Sequence, residues 1–326
     1  MSVVTQADPA SPAGSAHPLS KQRPLGDRGF QILALSSGLL VLVILVLIAV
    51  STSQQASSWF TTEGLKIFTN NWNPAANQFG ALALIYGTII TAVIAVVISV
   101  PLSLGIALLL TEVVPYRWSR PIVYVIDLLA VIPSVVWGLW GILVFVPWVQ
   151  HIYAHIGNVV NGVPVLGALF GPPTSGVSFF TAGLILAVMI TPIVTSLSRE
   201  VIATVPQIDK EGAYALGATR WEMITGAVWP HSQGGVVGAI LLGLGRAMGE
   251  TIAVALVIGS SAVITSHLFA PGYNMPAVIA NQFGEASGLF RAALMGIGVL
   301  LFVITIIVNL IARGIVERSA RRKRGA

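Results

Sequence analysis

The chain has 326 residues, of which 55% are hydrophobic and only 9% charged, whereas soluble domains carry roughly 25% charged residues; its mean hydropathy of +0.87 excludes a soluble globular fold. The formal charge of +5 does not point to nucleic acid, because the Lys and Arg residues sit in short loops between apolar runs and near the C-terminus. The absence of cysteine excludes disulfides, thiolate metal sites and thiol nucleophiles.

Residues 1–29 form a leader rich in Pro, Ser, Ala and Gly, without the short apolar core and cleavage site of a secretory signal. A disordered, uncleaved N-terminus is expected there. A spanning helix needs about 20 mainly apolar residues, because backbone polar groups must be satisfied internally where there is no water. Six segments qualify: 31–50, 81–110, 121–148, 179–197, 236–264 and 289–312. The second and third contain Pro101 and Pro133, where kinks or partial breaks are expected. An all-α, polytopic membrane protein with six transmembrane helices follows.

The basic residues orient it. Lys21, Arg23 and Arg28, then Arg117 and Arg120, then Arg199, Lys210 and Arg220, then Arg313 and the 321–324 cluster all fall on one side, which the positive-inside bias makes cytoplasmic. Both termini are then inside. The resulting division is 1–29 as a cytoplasmic leader, 30–80 as the first span and an outer segment, 81–312 as the core with a coupling segment at 199–235, and 313–326 as a basic tail that meets the anionic inner leaflet.

The outer connections 51–80 and 149–178 show no core of their own in sequence. His151 and His155 stand four apart, but no third metal ligand is near them, and interfacial histidines are the plainer reading. No internal repeat is visible. Asp127 lies near the cytoplasmic end of the third span and reads as a structural hydrogen-bonding group.

The stretch 206–230 reads as two short helices. Asp209 is placed as N-cap of the first, with Glu211 in its first turn and Gly217 ending it in the left-handed region. Thr219 and Glu222 form a capping box that starts the second, and Pro230 sets the exit. A helix–turn–helix projecting from a membrane bundle has the shape needed to dock on a soluble partner.

Arg246 and Glu250 lie inside the fifth segment, where a charge costs roughly 2.5–3.5 kcal/mol even on the lenient insertion scale. Spaced i, i+4 on a helix they would share one face about 6 Å apart, either as a buried ion pair fixing register or facing a polar cavity together. An Arg fork there would attract an oxyanion while Glu250 tempers the attraction. Gly243, Gly245 and Gly249 lack the spacing and the strand–turn–helix context of a nucleotide-binding loop. Gly245 with Gly249, and Gly234 with Gly238, suit close approach of a helix from a second subunit instead.

The 206–230 segment resembles the EAA loop of binding-protein-dependent ABC importers at Glu211, Ala213, Gly217 and Pro230, departing from it at Gly212, Ala227 and Trp229. The run from Gly243 to Val254 resembles the fifth span of PstC-type phosphate permeases. Trp72 to Pro74, Phe79 and Gly80, Tyr86 to Thr88, Val100 and Pro101, Thr111 and Glu112, and Ile132 to Trp140 follow the order of that family. The resemblance implies a type I (MetI-like) permease that imports inorganic phosphate across a bacterial cytoplasmic membrane; another oxyanion such as sulfate or molybdate is the alternative. It implies that Arg246 and Glu250 are transport-critical, and that 211–217 is the coupling helix entering a cleft on an ATPase subunit.

The same resemblance implies a second, PstA-like permease, two PstB-like ATP-binding subunits that hold ATP and magnesium, and an extracytoplasmic PstS-like binding protein. No cofactor belongs to the chain itself. An intramembrane enzyme would need a nucleophile–base pair or metal ligands inside the spans, and a secondary transporter would show inverted repeats; neither signature is found, nor is a P-loop.

Overall fold

The computed structural model describes residues 25–160, 162–171 and 175–324, and the chain divides after Val50 into two compact units. In the first, helix α1 (Leu25–Glu63) begins. Its side chains from Phe30 to Val50 are almost all exposed and apolar, a surface stable only in lipid. Of the leader expected to be disordered, residues 1–24 lie outside the described residues, while 25–29 already belong to the helix. Extending a nucleated helix by a turn costs little.

The second unit, from Ser51 onward, starts with the rest of α1 and a two-residue hairpin, β1 (Trp72–Asn73) against β2 (Gln78–Phe79). This outer segment joins the core of the helical bundle and has none of its own among the described residues. Trp59, Ile67 and Phe79 are buried together with Leu294 and Ile297, and Trp59 Nε1 donates to the Phe79 carbonyl at 3.2 Å.

Helix α2 (Leu82–Leu108) and helix α7 (Phe179–Ala203) form the centre. They run in the same direction, since Gly183 abuts Ile94 and Ser103 Oγ donates to the Thr191 carbonyl at 3.1 Å. Ala83, Gly87, Thr91, Ala95, Ser99, Ser103 and Ala107, four residues apart in turn, are all buried. Such a ridge of small residues lets two backbones approach closely, which is how helices associate where lipid removes the hydrophobic drive.

Between them lie α3 (Tyr116–Val131), α4 (Ser134–Trp140), α5 (Val146–Val160) and α6 (Pro164–Leu169). Segment 121–148 is therefore not one helix. Ile132 is extended at φ −59° and ψ 126°, because the ring of Pro133 excludes the α region for the residue before it. Pro101, by contrast, leaves α2 unbroken. Helix α5 carries the chain well past the expected end of the span, and Val149, Tyr153 and Phe269 form a small core there.

After α7 come α8 (Gln207–Ala215), α9 (Arg220–Met223), α10 (Trp229–Gly249) and α11 (Ile252–Val257). Helix α10 runs antiparallel to α7, with Gly235 against Val201 and Gly243 against Val194. The expected fifth span, 236–264, stops at Gly249: Glu250 is extended at ψ 126°. Five helical runs among the described residues are long and apolar enough to cross a membrane: 29–68, 82–113, 134–160, 179–203 and 288–314. The expected fifth segment is missing from them because of this break.

Three widened π turns, Leu109–Val113, Gly141–Phe145 and Ile224–Val228, each end two residues before a proline: Pro115, Pro147 and Pro230. At Pro147 and Pro230, where the helix continues, proline removes an N–H and crowds the carbonyl four residues back, and one extra residue per turn relieves that crowding.

Residues 258–274 form an irregular arm. Its Ala270 and Leu268 carbonyls accept the Phe179 and Phe180 N–H groups at 3.1 and 3.0 Å, and Ser178 Oγ accepts Thr181 N–H at 3.1 Å. The free donors at the start of α7 are thereby satisfied. Helices α12 (Met275–Gln282) and α13 (Gly288–Arg324) complete the chain. Helix α13 runs on through the tail expected to follow the last span; the side chains of 315–326 lie outside the described residues.

Candidate functional site

Arg246 lies in the last turn of α10 with its side chain exposed, whereas Glu250, just beyond the helix end, is 9% exposed. The expected i, i+4 face does not form, because Glu250 is not helical. Its Oε1 instead accepts the N–H of Ala253 at 3.3 Å, capping the short helix that follows. Arg246 has no hydrogen-bond or ion-pair partner among the described residues. The result is an exposed guanidinium one turn before a helix break, with a buried carboxylate folded back into that break. Such a guanidinium is free to receive a planar or tetrahedral oxyanion.

Two short helices lie beside this break. Helix α4 begins after Pro133 and α11 after Thr251, and the two pack together. A Cβ on Gly138 would come within 2.8 Å of the Ala253 Cα, so only glycine permits this approach. The sequence carried this signal only as an unexplained glycine within the run 132–140.

Gly234, Gly238, Gly245 and Gly249 have open space where a Cβ would stand, while Gly235 and Gly243 face α7. The first four, with exposed Leu242 and Arg246, leave one face of α10 without a neighbour among the described residues. Asp127, on α3, accepts a hydrogen bond from Ser196 Oγ at 3.0 Å, the structural role expected. His151 and His155 lie on α5 with exposed side chains, in a helix rather than in the expected loop.

The segment 206–230 is built from local signals. Asp209 is not the N-cap of α8: Pro206 is, and Asp209 lies in the first turn with its own N–H donated to the Pro206 carbonyl at 3.2 Å. Glu211 is exposed and follows that turn. Ala213 packs half-buried on a small core of Ala107, Ile202, Met223 and Val228. Gly217 has φ +86°; its N–H reaches the Tyr214 carbonyl at 2.9 Å, and Ala218 N–H reaches Ala213 at 3.1 Å. This pair of bonds is the Schellman closure that ends a helix on glycine.

Thr219 and Glu222 form the expected capping box. Thr219 N–H donates to Glu222 Oε2 at 2.7 Å and Glu222 N–H to Thr219 Oγ1 at 3.4 Å. The Thr219 backbone N–H, then its hydroxyl, hold the Glu222 carboxyl below its ordinary range. Pro230 does not set an exit. Helical backbone continues from Arg220 through the widened turn into α10, so the capping box and Arg246 lie on one helical rod. A groove of about 730 Å³ opens between Ile208 and Gly212 of α8 and Pro230 and His231 of α10.

One contact was not legible in sequence. Lys210 Nζ of α8 pairs with Glu112 Oε1 in the turn that ends α2, at 2.6 Å, with side chains 12% and 5% exposed. The partners stand 98 residues apart.

Residues 99–325 match the family described as binding-protein-dependent transport system inner membrane component. The chain is 44% identical over 300 residues to a phosphate transport system permease protein PstC of Xylella fastidiosa, covering 91% of this chain and 92% of that protein. It is 42% identical over 327 residues to the PstC of Mesorhizobium japonicum, covering 99% of each. Among solved structures it superposes on a bacterial alginate ABC transporter with a TM-score of 0.57 at 14% identity, covering 92% of this chain and 99% of that one. An inward-facing MetNI methionine ABC transporter gives 0.54 at 14% identity, with 77% and 99% covered. These two likenesses are of fold alone, that of type I ABC importer permeases. The chain belongs to the inner-membrane components of binding-protein-dependent transport systems and, within them, to the PstC permeases.

Proposed function

We propose that this chain is the transmembrane subunit through which inorganic phosphate enters the cell, driven by ATP hydrolysed on a separate polypeptide. The observation that carries this reading is the full-length similarity to phosphate transport permeases, 42% identity over 99% of both chains. The chemistry is consistent with it: Arg246, unpaired among the described residues, offers a donor fork at membrane depth, and Glu250 supplies the opposing charge that keeps an anion from being trapped.

The broken segment 229–257 makes a sixth crossing, its two halves joined at Glu250, and both termini are cytoplasmic. Helices α8 and α9 are the part that meets an ATP-binding subunit. Gly217, Thr219 and Glu222 shape it by helix capping and Ala213 by packing, while exposed Glu211 and groove-lining Pro230 lie on the surface it presents. The open glycine face of α10 receives a helix of a second, PstA-like permease. Two PstB-like subunits bind ATP with magnesium, and a PstS-like protein delivers phosphate from outside.

Labelled phosphate uptake in phosphate-starved cells lacking the gene tests this, with wild type or Arg246→Ala restored at equal membrane levels and with sulfate and molybdate as controls. Uptake that returns only with wild type supports the reading. Unchanged phosphate uptake in the deletion, with a fall for another oxyanion, overturns the substrate.

A further inference from the structure

The geometry points to the Lys210–Glu112 ion pair as the strut that carries movement of α8 into the α2–α7 pair. This rests on the ATP-driven transport reading above.

Helix α8 has 9 residues and none of them is buried. Ile208 is 75% exposed and Leu216 91%. A helix this short is not stable alone, and its apolar hold on the bundle is little more than Ala213. Lys210 reaches across to the one carboxylate that ends α2, and both charged groups are nearly removed from solvent. An ion pair so desolvated is strongly directional, and losing one partner leaves the other charge buried and uncompensated.

The far end of the strut is rigid. Glu112 lies in the widened turn Leu109–Val113. There Thr111 Oγ1 donates to the Ala107 carbonyl at 2.9 Å, and Ser119 Oγ of α3 donates to Leu110 at 3.1 Å. Helix α2 is locked to α7 along its small-residue ridge, so a displacement of Glu112 moves both.

The chain thus offers two routes out of the coupling segment, diverging at Gly217. One is the continuous helical rod from Arg220 to Arg246. The other is the strut from α8 to α2 and α7. Without it α8 can shift against the bundle while the α2–α7 pair stays behind, and ATP is then hydrolysed without full transport.

The test uses the complex with its ATP-hydrolysing and binding-protein partners in proteoliposomes, reading phosphate imported per ATP hydrolysed. Glu112→Gln should keep basal ATP hydrolysis while that ratio falls at least tenfold, Lys210→Met should lower the ratio likewise, and the exchanged pair E112K/K210E should recover most of it. Because the chain has no cysteine, E112C/K210C in cysteine-free partners gives a second measurement on one assembled sample. A short bifunctional thiol cross-linker should raise its ratio toward wild type. Single variants with the wild-type ratio, or a cross-linked sample no better coupled than the unlinked one, overturn the strut. A wild-type complex that imports no phosphate overturns the transport reading beneath it.

Discussion

Glu250 Oε1 accepts the N–H of Ala253 at 3.3 Å, a contact that exists because the helix carrying Arg246 ends at Gly249. The carboxylate caps α11, and on the proposed reading it also supplies a negative charge that opposes Arg246, so the two roles are separable. Glu250→Gln keeps the acceptor and removes the charge, so membrane levels should stay normal while phosphate uptake falls by about tenfold, the scale of one charge-assisted hydrogen bond. Glu250→Ala should in addition lower stability by about 1 kcal/mol, as loss of a cap does. Wild-type uptake by the Gln variant at equal level would sink the charge role.

Arg246→Lys keeps the charge but not the planar fork. Uptake should be reduced, and less than in Arg246→Ala, if the guanidinium binds an oxyanion through two parallel donors. Initial rates over a range of phosphate concentrations check this; equal rates for Lys and Arg would mean that only charge matters.

Gly138→Val should block the approach of α4 to Ala253, where a Cβ stands 2.8 Å from the Cα. Overpacking of this kind costs about 1–3 kcal/mol, and here it falls on α11, the helix that Glu250 caps. Uptake should drop sharply, while Gly105→Ala, with open space at its Cβ, should transport normally. Uptake assays on matched membrane levels separate the two.

Gly296 faces the ring of Trp59, which a Cβ would overlap, whereas Gly298 has only Ile279 Cδ1 at 4.0 Å. Gly296→Val should lower the melting temperature of the purified protein through a cost of about 1–3 kcal/mol. Gly298→Ala should be neutral or raise stability by up to about 1 kcal/mol through helix propensity. Thermal unfolding in detergent measures both.

The segment 206–230, proposed to meet the ATPase subunit, should respond to backbone strain and to acid. Gly217→Ala, at φ +86°, should destabilise the Schellman turn by about 1 kcal/mol and weaken co-purification of the ATPase subunit. Glu222 has its carboxyl lowered from the ordinary 4.5. Its capping contribution is therefore complete above that value and is lost as pH falls through the lower folded value. Hydrogen exchange of the Glu222 amide, referenced to Glu222→Gln to remove the intrinsic pH effect, should show protection declining only below that range.

Much of the coupling segment was readable because its signals are short. A Schellman closure at Gly217 and a capping box from Thr219 to Glu222 each need only a few consecutive residues, so spacing is enough. The same locality misplaces Asp209 and Pro230. Pro206 takes the cap that Asp209 was assigned, and the widened turn 224–228 absorbs a proline that would otherwise have ended the helix.

The sequence by itself determined that the chain lives in lipid, where its apolar runs lie and which side its cations favour, since partition between water and hydrocarbon is set by contiguous composition. Only the tertiary structure decided that the fifth segment breaks at Glu250, that Gly138 brings α4 against α11, and that Lys210 finds Glu112 98 residues away. Those outcomes depend on which polar group meets which across the packed helices. In a medium without water each such group takes whatever partner the fold brings within reach, and spacing along the chain does not encode that distance.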